Sequence, residues 1–474
     1  MKSLIRSVLS ASIVIILFLY SCEKNNIDID NTGDFILSTD TLSFDTIITT
    51  YRTPTQNFRI INKSFSPLEI KTIKLAGGEN SPFRLNVDGI PCKSINDLEI
   101  LSRDSIFIFV EATFPEYSID SVCYRLDSII IESNTGMQSV KLLSWSQDVT
   151  FLKNEWLNTQ TWSSKKPYLV FDSVMVDEGQ TLTIEKGCKV FFHNNAKMYV
   201  LGNIIVNGTK DEPVVFMNDR FDENAAGDSY EDIPGQWYGI YVLPSTLESS
   251  FNHAEIKNSI LGLWTGSLGD PVLPAVKVTN SIIKNHSFTG MISFGANIDC
   301  YNTIFSNNRT CIFLCHSGKY TFNHITISNS FNYQYPRQAG SVVIKDYYID
   351  EVKSYIGEFE SIFFGNSIIY GDRNNEFEVY KYDISNPKVP CTLDHCMMKL
   401  GSPDSLLFKL NYNDLIFEQS IDFDSVYNYF PDTASSFINK GSINIGIKYP
   451  EDLFGNSRTN DGMPDLGAVE FIKK

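Results

Sequence analysis

Ser281-Ile282-Ile283-Lys284-Asn285, Thr303-Ile304-Phe305-Ser306-Asn307 and Ile325-Thr326-Ile327-Ser328-Asn329 decide the fold. Each is a short β-branched or aromatic run closed by Asn, and the closing asparagines stand 22 residues apart, twice over. Glu255-Ile256-Lys257-Asn258 precedes them at a looser spacing. One short strand per period of this length is the pattern of a β-solenoid. The period is too short for a helix pair, and nothing in it repeats every 3.6 residues. Such strands stack coil on coil, about 4.8 Å apart. Asn at the same place in each coil can bond the next amide as a ladder, and it tolerates the left-handed backbone of a tight corner. Asn285, Asn307 and Asn329 are therefore expected to form one ladder at one corner.

The chain has 474 residues, room for roughly two or three domains. It is 43% hydrophobic and 20% charged, the balance of a folded protein. Its 33 Phe and 23 Tyr favour β structure. The formal net charge of −17 would repel nucleic acid and anionic membrane surfaces. The 9 Cys are scattered and do not form the framework of a small disulfide-stapled domain.

Residues 1–21 have the form of an export signal. Lys2 and Arg6 supply the positive start, and Val8 to Tyr20 is apolar but short for a bilayer span. Leu19-Tyr20-Ser21-Cys22 resembles the bacterial lipobox. That resemblance implies cleavage before Cys22 and lipid on it, so that membrane attachment is through the N-terminal lipid alone. Residues 22–34 are polar and read as a flexible tether. Residues 35–150 carry short alternating runs such as Phe58-Arg59-Ile60-Ile61, Leu68-Glu69-Ile70 and Ile106-Phe107-Ile108-Phe109-Val110. Seven or so strands of this kind argue an antiparallel β-sandwich. The order resembles immunoglobulin-like modules of bacterial surface lipoproteins, carried mostly by Ile61 to Ile70. Cys92 and Cys123 lie here, and either a pair or two buried thiols would fit. Residues 151–164 read as a connector, with Trp156 and Trp162 at the domain junction, opening a solenoid domain of residues 151–474.

Val176-Asp177-Glu178-Gly179-Gln180-Thr181-Leu182-Thr183-Ile184, then Met198 to Thr209 and Gln236-Trp237-Tyr238-Gly239-Ile240, resemble the opening coils of bacterial right-handed parallel β-helix proteins. Asn329 to Tyr355 interrupts the period with a polar, Tyr-rich insertion. Gly462-Met463-Pro464-Asp465-Leu466-Gly467-Ala468-Val469-Glu470 resembles the closing coil of secreted β-helix proteins common in Bacteroidetes. The expected fold is all-β: an N-terminal β-sandwich followed by a right-handed parallel β-helix. The resemblance implies a cell-envelope lipoprotein, on the outer membrane, and leaves activity open.

Several groups could carry chemistry. Asp219, Asp222, Glu223 and Asp228 fall in one acidic loop and could hold Ca²⁺, which prefers oxygen ligands. The loop lacks an every-other-residue ligand pattern, and a solvated insertion is the plainer reading. No other cofactor is implied. Cys311, Cys315 and His316 invite a zinc reading, but both cysteines have the same strand parity and read as stacked interior residues. Cys391 and Cys396 read alike. Trp264, Tyr333, Tyr335, Tyr347 and Tyr348 could stack on sugar rings, whereas Trp237 reads as core. Asp461, Asp465 and Glu470 read as structural. No nucleophile elbow, metalloprotease motif or phosphate loop is present. The residues favour a non-catalytic β-helix presenting a face to a polysaccharide or surface protein, with no nucleic-acid partner. A polysaccharide lyase or glycoside hydrolase, and a purely structural envelope protein, are the alternatives. An enzyme would gather perturbed charged groups in one groove, and a binder would align exposed aromatics.

Overall fold

The computed structural model describes residues 35–472 apart from 52, 117–121, 135, 225, 332–335, 419, 422, 424–428 and 433. The signal, the tether and Cys22 lie outside the described residues, as do Tyr333 and Tyr335. The chain divides into two compact units, residues 1–116 with 123–146, and residues 117–122 with 147–474.

The first unit is a β-sandwich of two five-stranded sheets. One runs Phe35–Leu37, Gln56–Asn62, Ser105–Ala112, Phe83–Val87, Ile90–Cys92. The other runs Thr41–Ile48, Met137–Gln147, Cys123–Ser133, Leu68–Leu75, Ser94–Ile100. Alternation puts Phe58, Ile60, Ile108, Val110, Ile129 and Ile131 inside. Ile90–Cys92 and Ser94–Ile100 had not been expected as strands. Both are sheet edges with mostly exposed side chains, so they carry no apolar alternation. Cys92 and Cys123 stand on different sheets and are unbonded. Asp104 and Asp127 each accept from the next backbone N–H, those of Ser105 and Ser128, an Asp-Ser pairing that opens or stiffens a strand.

The second unit is a parallel β-helix whose strands form one 26-stranded sheet winding round the axis. A typical coil has a strand on each of three faces: Lys197–Val200 on the first, Asn203–Asn207 on the second and Val214–Asn218 on the third. Each pairs in parallel with its counterpart one coil on, Gly239–Val242, Ser249–Asn252 and Ala254–Lys257. Most of residues 151–164, expected as a connector, already belongs to solenoid strands, Thr150–Leu157 and Gln160–Trp162. Thr150–Leu157 pairs with Tyr168–Val176, and Trp162 is buried, stacked on Tyr168 at 4.3 Å. Trp237 is core, as read, lying flat on Phe192 at 4.0 Å.

The corners explain the repeat. Between third and first faces, Asn258, Asn285 and Asn307 have φ of 66°, 63° and 50°. Their amides donate down the column: Asn258 to Asn218 (2.8 Å), Asn285 to Asn258 (2.7 Å) and Asn307 to Asn285 (2.8 Å). The expected ladder is therefore real but displaced. Asn329 is not in it; it stays in its strand, accepts from the Asn308 N–H and donates to Ser341. The ladder ends there because the chain leaves the coil to form the loop before Ser341. Between second and third faces stands another column, His253, Asn280, Asn302, His324, Asn366 and His395, with φ between 46° and 51°. Three of the chain's 6 histidines thus stand in this column. His286 is a further buried one. It receives the Ser259 N–H at Nδ1 (3.3 Å) and meets the Ile256 carbonyl at Nε2 (3.1 Å), the pattern of a neutral ring.

The tail also departs from expectation. Residues 437–471 add no coil. They lie across the third face, where Leu453, Ala468 and Val469 cover Ile304, and Phe437 and Leu466 cover Ile368 and Met397. Gly467 N–H donates to the Asn366 carbonyl and Ala468 N–H to the Thr326 hydroxyl. Inside the joint Arg458 is wholly buried, donating to Glu470 (2.5 Å) and to Asn302 (2.7 Å). Asp465 accepts from the Asn439 and Phe471 N–H groups, and its own N–H donates to Glu470. These tail acids are structural.

Asn285→Ala removes two ladder bonds and leaves a non-Gly residue at positive φ. It should cost about 2 kcal/mol in urea unfolding, and Asn285→Gly, which relieves the backbone, should cost less. Burial holds His286 down to about 3. The unfolded ring takes a proton near its ordinary value while the folded ring refuses it. The neutral ring's stability is therefore complete above pH 6.5 and is lost as pH falls toward 3, on the order of 1 kcal/mol per pH unit. Unfolding midpoints measured down that window should fall less steeply for His286→Asn than for the parent.

Candidate functional site: an outward aromatic stripe on the first face

Parallel pairing in register stacks outward side chains into columns. On the first face one column reads Trp156, Met175, Tyr199, Tyr241, Trp264, Ile292, Phe313, Val343. Ring centroids are 5.2 Å apart for Tyr199 and Tyr241, 5.7 Å for Tyr241 and Trp264, and 4.6 Å for Trp264 and Phe294. Trp264 Nε1 donates to the Gly266 carbonyl (2.9 Å), which fixes its ring plane. Burial pushes the Tyr241 hydroxyl up to about 12, so it remains a donor. Trp156 is 58% exposed; Tyr199, Tyr241 and Trp264 are half-buried; Ile292 and Val343 are 4% and 5% exposed.

A polar strip flanks the open end. Ser173 is in register with Lys197, and its hydroxyl donates to Asn154 (3.1 Å). The Lys197 ammonium stands 5.7 Å from the Tyr199 ring centroid and 5.0 Å from that of Tyr238. The surface therefore offers flat apolar rings with hydroxyl, amide and ammonium groups alongside.

Of the residues singled out in the sequence, Trp264 is in this column. Tyr348 reaches it edge-on through Phe294 at 5.5 Å. Tyr347 turns away, against Tyr382 (5.6 Å) and under Lys345 (4.2 Å). Both tyrosines belong to a hairpin, Tyr347–Ile349 with Ser354–Ile356. The expected insertion is not continuous: Val342–Lys345 is a regular first-face strand within it. Trp156, Tyr199 and Tyr241 were missed. Trp156 lay in the supposed connector. The two tyrosines had a usable signal: each stands between inward residues, Met198 and Val200, Ile240 and Val242.

The acidic loop does not gather its carboxylates. Asp219 bonds His193 (2.7 Å), Asp222 pairs with Arg220 (2.6 Å) and Asp228 accepts from Asn224 (2.9 Å). Glu223 is exposed and bridges Ser229 through its backbone. Among the described residues, no three His, Cys, Asp or Glu side chains converge as a metal site. Cys311 and Cys315 are buried on opposite sides of the sheet, not stacked together. Cys311 is inside the solenoid; Cys315 is in the outer cluster with Ile292 and Phe294. Parity fails because Cys311 and Ile312 both turn inward at the strand's start, where both N–H groups reach the Ser341 carbonyl. Cys391 and Cys396 are both interior, as read. Burial pushes Cys311 and Cys315 up to about 12, leaving unreactive thiols.

The other concentrated charge is internal. Arg337 and Glu376 are buried and bidentate, with bonds of 3.0 and 2.5 Å. Glu376 also accepts from Ser341 N–H (2.9 Å) and Arg373 N–H (2.8 Å), and Arg337 donates to the Asn329 carbonyl. The ion pair closes the loop where the asparagine ladder ends.

No protein-family model matches the chain, and no curated protein does. Among solved structures it is similar in part to a family 123 glycoside hydrolase from Clostridium perfringens, at 8% identity over 25% of this chain and 26% of that chain, TM-score 0.18. It is also similar to a protein of unknown function from Porphyromonas gingivalis W83, at 11% identity over 27% of this chain and 61% of that chain, TM-score 0.19. A further likeness is to the E. coli chaperone DraB, at 10% identity over 24% of this chain and 54% of that chain, TM-score 0.17. The chain thus spans less than two thirds of each, and likenesses this partial carry no argument about its function.

Proposed function

We propose that this chain is a lipid-anchored cell-envelope protein, of the kind found in Bacteroidetes, whose β-helix binds glycan on its first face without turning it over. The observation that carries this reading is the register of Trp156, Tyr199, Tyr241 and Trp264 along one open column. Aromatic faces suit the C–H faces of sugar rings, and the Asn154, Ser173 and Lys197 strip suits hydroxyl groups. A contiguous outward apolar stripe with a polar rim is also what a recognition surface needs. The non-catalytic part of the reading draws on the buried Arg337–Glu376 and Arg458–Glu470 pairs, whose polar groups are turned inward to loop and tail bonds. The anchor rests on Lys2, Arg6, the apolar run and Cys22.

The lipid-free ectodomain should be retained on at least one immobilised polysaccharide. Trp264→Ala or Tyr241→Ala should weaken retention about tenfold, near 1.4 kcal/mol, with no reducing or unsaturated ends released. Equal retention by these variants would remove the stripe from the reading, and released ends would replace the binder with an enzyme. For the anchor, a metabolic palmitate analogue should label the full chain, and Cys22→Ser should abolish both label and membrane fractionation.

A further inference from the structure

Within the second unit, Trp156 is exposed and Tyr199, Tyr241 and Trp264 are half-buried, whereas Ile292, the next residue of the column, is buried. Packed against the cluster that holds Ile292 and Phe294 is the hairpin of Tyr347–Ile349 and Ser354–Ile356, which rises between a first-face strand, Val342–Lys345, and a second-face strand, Phe359–Gly365. Tyr348 stands edge-on to Phe294, and the Cys315 thiol donates to the Tyr347 carbonyl (3.4 Å). Tyr355 stands beside Gly269, close enough that a Cβ there would lie 3.6 Å from its ring. Leu268, from the same loop, packs into the outer cluster with Phe294 and Tyr348.

The hairpin is held at its base. Gly357 N–H donates to the Asp346 carbonyl (2.9 Å) and Tyr382 N–H to the Asp346 carboxylate (2.8 Å). The Lys381 ammonium is 3.6 Å from that carboxylate, and the Tyr347 ring rests on Tyr382. These bonds make it a wall across the column. A linear ligand laid on Trp156, Tyr199, Tyr241 and Trp264 would meet this wall just past Trp264.

Resting on the glycan-binding reading above, we infer that the hairpin makes the stripe a chain-end site. It takes the terminus of a linear glycan, with the last ring on Trp264 against Phe294 and Tyr348 and the following rings on Tyr241 and Tyr199. The net charge of −17 disfavours polyanions, so the ligand class is a largely uncharged glycan. The interior of a long chain would have to climb over the hairpin and lose the Trp264 contact.

The test uses neutral cello-, xylo-, manno- and malto-oligomers of increasing length, read by tryptophan fluorescence on the whole ectodomain. Cyclodextrin serves as an end-free counterpart of the malto series. In the series that binds, affinity should climb over the first few units and then level. If the malto series is the binder, cyclodextrin should bind about tenfold more weakly than its linear counterpart. Replacing residues 347–356 by a tight turn should let affinity keep rising with length. Tyr348→Ala, which leaves the hairpin backbone in place, should weaken binding of the shortest oligomers. Affinity that rises without levelling in the unmodified protein overturns the inference. So does a length profile unchanged by the hairpin replacement together with short-oligomer binding unchanged by Tyr348→Ala. Binding abolished by Trp264→Ala but indifferent to the hairpin sinks the chain-end inference alone. Absence of binding by every series overturns the underlying reading with it.

Discussion

Everything in the solenoid depends on turning the backbone within a residue while keeping each strand in register with the one a coil away. A parallel stack leaves no slack, because each N–H must meet a carbonyl on the neighbouring rung. At two corners the turn is made by a non-Gly residue at positive φ, and the residues that accept this strain are Asn and His. At both corners amides also bond along the axis, which offsets the strain and satisfies groups that the turn would otherwise bury unpaired. Register then does the rest. Inward residues close a continuous core, and outward residues inherit alignment, which is how Tyr199, Tyr241 and Trp264, far apart in sequence, come to share one surface.

The fold was legible because its main constraint is local. A run of apolar residues ending in Asn states both the strand and its corner, so Asn285 and Asn307 could be found by spacing. Asn329 satisfied the same spacing and still left the ladder, because its fate is set by Arg337 and Ser341, both held by Glu376, a group that comes together only through tertiary packing. Cys311 and Cys315 failed for a related reason: one backbone irregularity at a strand start reverses the facing of everything before it. The stripe was half legible. Trp264 stood out as a large aromatic, whereas Tyr199 and Tyr241 gained significance only once register aligned them. The carboxylates of the acidic loop illustrate the converse, since neighbours in sequence were drawn apart by His193, Arg220 and Asn224.

Buried charge in this protein marks joints. Arg337 with Glu376, and Arg458 with Glu470, pair where an irregular segment returns to the coil. Burial raises the Glu470 carboxyl against the pull of Arg458, a sign of how much solvation such a pair gives up. Apolar residues would often serve stability as well. What the ion pairs add is direction: a guanidinium fork, closed on Glu376 by Arg337 and shared between Glu470 and Asn302 by Arg458, accepts one geometry, and the N–H groups of Ser341, Arg373 and Asp465 bond the same carboxylates.

Solenoids usually vary by gaining or losing whole repeats, since each coil touches only its neighbours. The tail removes that freedom here. It touches Asn302, Thr326 and Asn366, on successive coils, at fixed points along its own length. One coil more or less between Asn302 and Asn366 would displace Ser442 or Gly467 by a full rung from its partner. The C-terminal segment therefore works as a ruler. It fixes how many coils this stretch of the helix contains, and any lengthening of the domain must come from coils outside the span it measures.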